Sequence, residues 1–325
     1  MWANVPSSIK KIKLTLIVLL IAFLVGGAYG LYVSRKPAVV WTMVNVNTTG
    51  LQGDANLIQV KGGKTILIDA GYRGPASSQL IPYLLKNNIK FIDVVFITHP
   101  HRDHYEGVGV MIKAGVKIGA IYSNIPDKEI CDKEIPWGCN YKDIVQHHEL
   151  FQQQGIPTYR GAQGQKFDLG NGVKLNILYA FNGVSTPVGE TDVNDLSFIM
   201  MLKYKNHKII FPGDVNQDIG GYLAEHANDI SAELLKVPHH GTESVAPNSF
   251  FDRVKPQFAF VPAPTGLWCS KRSERIRDWF HKNAIPVYVN GYAGHVRVEL
   301  NDTSVRVIAD PFPYGYCKKV NRGLK

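Results

Sequence analysis

Two hydrophobic periods divide the chain. Short blocks rich in β-branched residues read as strands. The first is VVWTMVNVN (39–47), followed by ANLIQV (55–60) and KTILIDAG (64–71), which flank a Gly62-Gly63 turn and so form a hairpin. FIDVVFITH (91–99) is almost continuously apolar, as a strand covered on both faces must be. GAIYSN, VKLNILYAF, LSFIMMLKY, HKIIFPGD, AELLKVPHHG, FAFVPA, IPVYVN and HVRVEL continue the strand series, the last two closing it. Between them, apolar spacings of three and four residues predict helices. SSQLIPYLLKNN has Ser77 or Ser78 as cap, VGVMIKAG ends at Gly115, and DIVQHHELFQQQG stops at Gly155. DIGGYLAEHA and SERIRDWFHKN, the latter with Ser273 as cap, complete the set. Residues 126–145, with Pro126, Pro136, Trp137 and two cysteines, read as an irregular insertion.

The order is strands, helices, strands, helices. Two sheets sandwiched between helices satisfy it, an α/β protein of four layers, αββα. A doubly wound parallel sheet is the competing layout, and the hairpins argue against it. No linker interrupts the chain after residue 36, so residues 37–325 are expected to be one domain.

The N-terminus adds a second element. Lys10, Lys11 and Lys13 precede Leu14–Leu31, an uncharged run of 18 residues near the length that spans a bilayer. Residues 1–36 are therefore expected to be a signal anchor, a single N-terminal membrane-spanning helix with the rest of the chain exported. Cleavage of the segment as a secretory signal is the alternative. Cys131, Cys139, Cys269 and Cys317 fit an exported protein with two disulfides. Three pairings are open, among them Cys131 with Cys139 and Cys269 with Cys317. The formal charge of +9 suits an anionic partner such as DNA or anionic lipid. Lys271, Arg272, Arg275 and Arg277 are one basic cluster that could grip a polyanion. No protein partner is inferable.

The chemistry concentrates in Thr98-His99-Pro100-His101-Arg102-Asp103-His104, directly after an apolar strand. His99 and His101 alternate, so a tight turn aims both imidazoles one way, and Asp103 and His104 face a second point beyond the turn. Burying four such groups together is costly without a cation, and imidazole with carboxylate suits zinc, manganese or iron. Three more strand ends deliver matching groups: Asp69 after ILID, Asp214 after IIFPGD, and His239-His240-Gly241 after LLKVP.

THPHRDH resembles the signature of the metallo-β-lactamase superfamily, with Asp69, Asp214 and the HHG at 239–241 matching its other motifs in order. LQGDANLIQVKGGKTILIDAG, DVNDLSFIMMLKY before FPGD, and LKVPHHGTES are closest to the hydrolase domain of the competence protein ComEC family. The resemblance covers residues 40–310 and implies the hydrolase module, not the multi-span channel. It implies two divalent metal ions, zinc or manganese. His99 and His101 would hold the first. Asp103, His104 and either His239 or His240 would hold the second, with Asp214 bridging. Asp69 would orient a ligand from outside. The third imidazole that many members give the first ion is missing from GETDVNDLSF, where Asn194 or Asp195 would stand in. The implied reaction is hydrolysis by a metal-activated water, with Asp103, Asp214 and His240 in catalytic roles. A phosphodiester such as DNA is the expected substrate. A carboxylic ester, lactone or β-lactam is the first rival, and a metal-bearing binding module with little turnover the second.

Overall fold

The computed structural model describes residues 36–318, apart from 48–49, 135–138, 184–185 and 243. The run 14–31 and its expected membrane-spanning helix lie outside the described residues. Among those described, no helix is long and apolar enough to cross a membrane.

A compact unit begins at Val39. Its first six strands are β1 (Val39–Met43), β2 (Asn56–Val60), β3 (Thr65–Ile68), β4 (Phe91–Ile97), β5 (Lys117–Ser123) and β6 (Thr158–Tyr159). The chain then crosses to a second sheet: β7 (Lys166–Gly170), β8 (Val173–Tyr179), β9 (Ile199–Tyr204), β10 (His207–Phe211), β11 (Leu234–Lys236), β12 (Phe258–Val261) and β13 (Val287–Val289). Finally β14 (Val296–Leu300) and β15 (Val305–Ile308) return to the first, giving the orders β15-β14-β1-β2-β3-β4-β5-β6 and β13-β12-β11-β10-β9-β8-β7. Each sheet changes from antiparallel to parallel partway: at β3 in one, where β3 meets β4 in parallel, and at β10 in the other, where β10 meets β11 in parallel. The hairpin expected around Gly62 is β2 paired with β3.

Alternation along the strands sends one set of side chains between the sheets and the other outwards. Between them, Trp41 packs edge-on against Phe211 and Phe260 of the facing sheet, ring centroids 5.0 and 4.6 Å apart, and Phe96 meets Phe167. Each fully buried side chain of this size contributes about 1.5–3 kcal/mol. Outside the first sheet lie α1 (residues 73–86), α2 (Arg102–Lys113), α3 (Lys128–Asp132) and α4 (Tyr141–Gln153). Leu84, Val108, Met111 and Phe151 bury with Leu67 and Val95 beneath them. Outside the second lie α5 (Gln217–His226), α6 (Asn248–Val254) and α7 (Glu274–Lys282), where Leu223, Phe251 and Phe280 cover Ile210 and Leu235. The result is a four-layer α/β sandwich, helices outside two sheets.

Several elements differ from the sequence reading. The helix expected to begin at residue 77 begins at 73, so Ser77 lies within it and its Oγ donates to the Arg73 carbonyl. The helix read as 108–115 starts at Arg102, because Tyr105, Val108 and Met111 continue one buried face back to the signature. Part of the 126–145 insertion is helical, in α3 and the start of α4. Ser273 precedes α7 as expected but makes no capping bond; its Oγ donates to Leu267 O. β7 and β15 were not legible: β7 (KFDLG) has only two large apolar residues, and β15 (VRVI) is four residues long with none fully buried. The cysteines pair as Cys131–Cys139 and Cys269–Cys317, Cα separations 5.1 and 4.9 Å.

Candidate metal centre

Four strands end on one point. β3 runs into Asp69, β4 into Thr98 and His99, β10 into Asp214, and β11 into His239 and His240. The parallel pair β3–β4 faces the parallel pair β10–β11, so the carboxyl ends of both deliver polar groups between the sheets.

Asp69 organises the signature. At φ +61 it turns its carboxylate inward, where Oδ1 accepts the Thr98 N–H and Oδ2 the Thr98 hydroxyl, both at 2.8 Å. The same Oδ2 lies 2.9 Å from His104 Nδ1, so the imidazole donates there and its Nε2 faces Asp214 Oδ2 at 3.2 Å. A carboxylate behind a histidine in this way fixes its tautomer and raises its basicity. Asp103 and His104 occupy the first turn of α2 rather than a loop beyond a turn, which sets the two side chains on one rigid helix end.

His240 arrives from the other sheet. Its Nδ1 lies 2.8 Å from the Pro262 carbonyl, to which it donates, and its Nε2 lies 3.0 Å from Asp214 Oδ2 and 3.2 Å from Asp103 Oδ2. That buried Nε2 makes no aligned hydrogen bond to either oxygen. Reaching this position requires three successive left-handed residues, His239 (φ 45), His240 (φ 51) and Gly241 (φ 71). Such backbone costs about 1–3 kcal/mol per non-glycine residue and persists where surroundings enforce it. Gly241 also has Trp268 against it, and a Cβ there would lie 2.7 Å from the ring. Asp54, His104, Asp214 and His240 thus form one buried group whose ligand atoms lie within 4.8 Å of one another.

His99 and His101 stand beside this group. His99 Nε2 and His101 Nδ1 are 3.0 Å apart, and the His99 ring is 4.1 Å from that of His104. His101 Nε2 meets Glu134 Oε2 at 2.7 Å. His239 Nδ1 lies 2.5 Å from Asn216 Oδ1 and 3.1 Å from Ser244 Oγ. Asp195 is spent on structure, Oδ1 accepting from the Asn216 N–H at 2.6 Å and Oδ2 from Thr191 at 2.7 Å, so it does not stand in for the absent imidazole. Asn194 keeps a buried Oδ1 with no hydrogen-bond partner. Arg275 and Arg277 are tied to the backbone carbonyls of Val245, Ala246, Trp268 and Ser270; they brace the segment after His240 rather than offering a free basic face.

Sequence reasoning missed Asp54 and Lys236. Lys236 is 1% exposed, and its ammonium bonds Asp54, Asp214 Oδ1 (3.1 Å) and Gly213 O (2.8 Å). A lone lysine inside the apolar strand LLKVP was the available signal, since lysine is almost never buried unpaired. With Oδ1 occupied, Asp214 presents only Oδ2 to the two imidazoles.

The charges agree with a cation site. Burial pushes His240 down, yet Asp214 and Asp103 outweigh it and raise it to about 10. Burial likewise opposes His104, and Asp214, Asp69 and Asp103 hold it well above the ordinary value. Burial would raise Asp214, but His240, His104 and Lys236 keep it well below the carboxylate range. His99 goes the other way, lowered by burial and by His104 and His101, so its ring is neutral. The carboxylates demand positive charge here, and a divalent ion meets that demand with the same imidazole and carboxylate donors. The donor set and the unaligned His240 Nε2 fit such an ion.

Residues 48–128 match the model of the metallo-beta-lactamase superfamily. A UPF0173 metal-dependent hydrolase of Pyrococcus furiosus is 30% identical over 117 residues, 34% of this chain; the match spans about half, 48%, of that relative's length. A solved diphosphatase of the PhnP family is 13% identical, covering 81% of this chain and 98% of its own, TM-score 0.44. A metallo-beta-lactamase of Cronobacter sakazakii with a HARLDQ motif is 15% identical, covering 56% and 64%, TM-score 0.34. The match over residues 48–128 spans the signature at the head of α2, so this stretch is similar to the metallo-beta-lactamase superfamily.

Proposed function

We propose that this chain is a metal-dependent hydrolase of phosphodiester bonds, acting outside the cytoplasmic membrane on an anionic substrate such as DNA. The observation that carries the reading is the meeting of His104 and Asp103 from one sheet with Asp214 and His240 from the other around one buried point. The superfamily match over residues 48–128 and the hydrolase relative support it.

Two divalent ions, zinc or manganese, would be held by this set: Asp103, His104, His240 and Asp214 Oδ2 at one position, His99 and His101 at the other. Bound there, they supply Lewis acidity and a water acidic enough to attack near neutral pH. The chain's own groups do the rest. Asp69 keeps His104 turned inward, and Lys236 with Asp54 fixes the orientation of Asp214. Asp103 is kept ionised by His104 and His240 against the effect of burial, the charge state a ligand to a cation needs. His239, held by burial to about 4, is neutral at pH 7.

Two disulfides favour an oxidising compartment, and the run 14–31 would anchor the chain in the membrane with this domain exported, or be removed as a signal. The net charge of +9 favours a polyanion. One observation favours a smaller substrate. Beside Glu134 lies a cavity of about 580 Å³ lined by Ile130, Phe181 and Leu196 together with Glu190 and Asp192, which suits a carboxylic ester or lactone better than DNA.

The test is incubation of the full chain in detergent with Mn²⁺ or Zn²⁺ and, separately, single-stranded DNA, bis-p-nitrophenyl phosphate, a lactone and nitrocefin. Cleavage of the first two alone supports the proposal, and His101→Ala and His240→Ala abolish it. Lactone or nitrocefin turnover alone supports the second reading. Inertness with stoichiometric metal leaves a binding module.

A further inference from the structure

Glu134 reaches the centre from an element that the signature does not contain. It follows α3 by two residues, and its N–H donates to the carbonyl of Cys131 at 3.1 Å. Cys131 is bonded to Cys139, both are buried, and Cys139 forms an isolated antiparallel bridge with His101 itself. The disulfide thereby closes a loop one end of which lies against His101 while the other carries Glu134. From there Glu134 Oε1 accepts the Val193 N–H at 2.6 Å and Oε2 lies 2.7 Å from His101 Nε2. With Oε1 engaged by the backbone, the carboxylate is aimed, not merely near.

The consequence for His101 is geometric. An imidazole that donates from Nε2 to a carboxylate has its lone pair on Nδ1. That Nδ1 lies 3.0 Å from His99 Nε2, so two ring nitrogens converge on the side of the cluster away from Glu134. We propose that Glu134 is the positioning residue that turns His101 Nδ1, together with His99 Nε2, towards one divalent ion, and that the Cys131–Cys139 disulfide holds Glu134 in place, making this ion's binding depend on oxidation. The inference rests on the metal-site reading above. It adds a role for the short disulfide, which joins cysteines 8 positions apart and is linked directly to the centre through the Cys139–His101 bridge.

Cobalt titration of the full chain in detergent, followed by its visible spectrum and by bound metal per chain, tests this. The oxidised wild type is expected to take up two Co²⁺. Glu134→Ala keeps one and binds the other about 10–100-fold more weakly. Glu134→Gln, whose single amide oxygen can accept from His101 Nε2–H only by turning its NH2 towards the Val193 N–H, weakens binding of the same ion no more than Glu134→Ala does. Cys131→Ser/Cys139→Ser weakens the same ion as Glu134→Ala, and combining the changes adds nothing. A merely structural Glu134 would lower the unfolding temperature and leave the cobalt stoichiometry and spectrum unchanged, which overturns the proposal. If Glu134→Ala does not fold, the double serine variant carries the test, and wild-type cobalt binding in it overturns the role of the disulfide. A wild type that binds no Co²⁺, Zn²⁺ or Mn²⁺ instead defeats the metal-site reading itself.

Discussion

Replacing Lys236 with Met is a direct test of how the centre is wired. The side chain is 1% exposed and its ammonium touches Asp54, Asp214 and the Gly213 carbonyl. Methionine fills a similar volume but leaves two carboxylates, at 0% and 1% exposure, without their cation. Breaking a buried pair by removing one partner costs about 3–5 kcal/mol, more than the pair itself is worth, because the remaining charge stays buried. At about 2–4 °C per kcal/mol for a domain of this size, the metal-free protein should lose roughly 6–20 °C in unfolding temperature. Asp54→Asn alone should cost less, since Lys236 keeps Asp214 and Gly213. The double variant should be more stable than the sum of the single losses by about 1–3 kcal/mol, the coupling of residues in one network. Added Zn²⁺ or Mn²⁺ should narrow the deficit of Lys236→Met, because an ion at Asp214 supplies part of the lost positive charge. The measurement is urea and thermal unfolding with and without chelator. Strictly additive losses, or a Lys236→Met protein as stable as wild type in chelator, would refute the wiring.

Three further outcomes follow from other contacts. Asp195 is pushed up to about 6, chiefly by burial, from an ordinary 3.8. The folded state therefore holds this proton more tightly than the unfolded chain, and its contribution to stability falls as pH rises from about 4 to 6. Asp195→Asn should remove that slope and gain roughly 2–3 kcal/mol over wild type at pH 7.5 relative to pH 4, read from urea midpoints at both; an unchanged slope contradicts it. Gly107 in α2 lies under Ala70, and a Cβ there would sit 2.0 Å from a backbone oxygen, so Gly107→Ala should cost about 3 kcal/mol or more in thermal unfolding, and a soluble variant at wild-type stability would be contrary evidence. Asp69→Ala should leave the fold intact but weaken metal binding about 10–100-fold, because His104 loses the carboxylate that orients it; equal affinity by competitive chelator titration would contradict this.

The sequence revealed the signature because its four groups are neighbours along the chain, and proximity there survives any fold. Asp214 and His240 were legible as polar residues at the ends of apolar runs. What could not be read was pairing across sheets. Asp54 precedes β2, Lys236 ends β11, and only the packing of one sheet on the other makes them partners. The choice between His239 and His240 was equally hidden. It follows from left-handed backbone at both residues, which sends one ring to Pro262 O and the cluster and the other to Asn216. The return of β14 to β1 links residues some 250 positions apart, beyond any local pattern. Disulfide partners were undetermined for the same reason: loop length does not choose among three pairings.

The polar cluster between β3–β4 and β10–β11 is shared by halves that are separate stretches of the chain. Neither stretch alone assembles it, so each cation it captured would act as a rivet through the whole sandwich, its affinity counted in full towards folding. Scarcity of the ion would then loosen the architecture and expose the polypeptide to proteases as well as slow any reaction. Ion supply would set the lifetime of the molecule along with its speed.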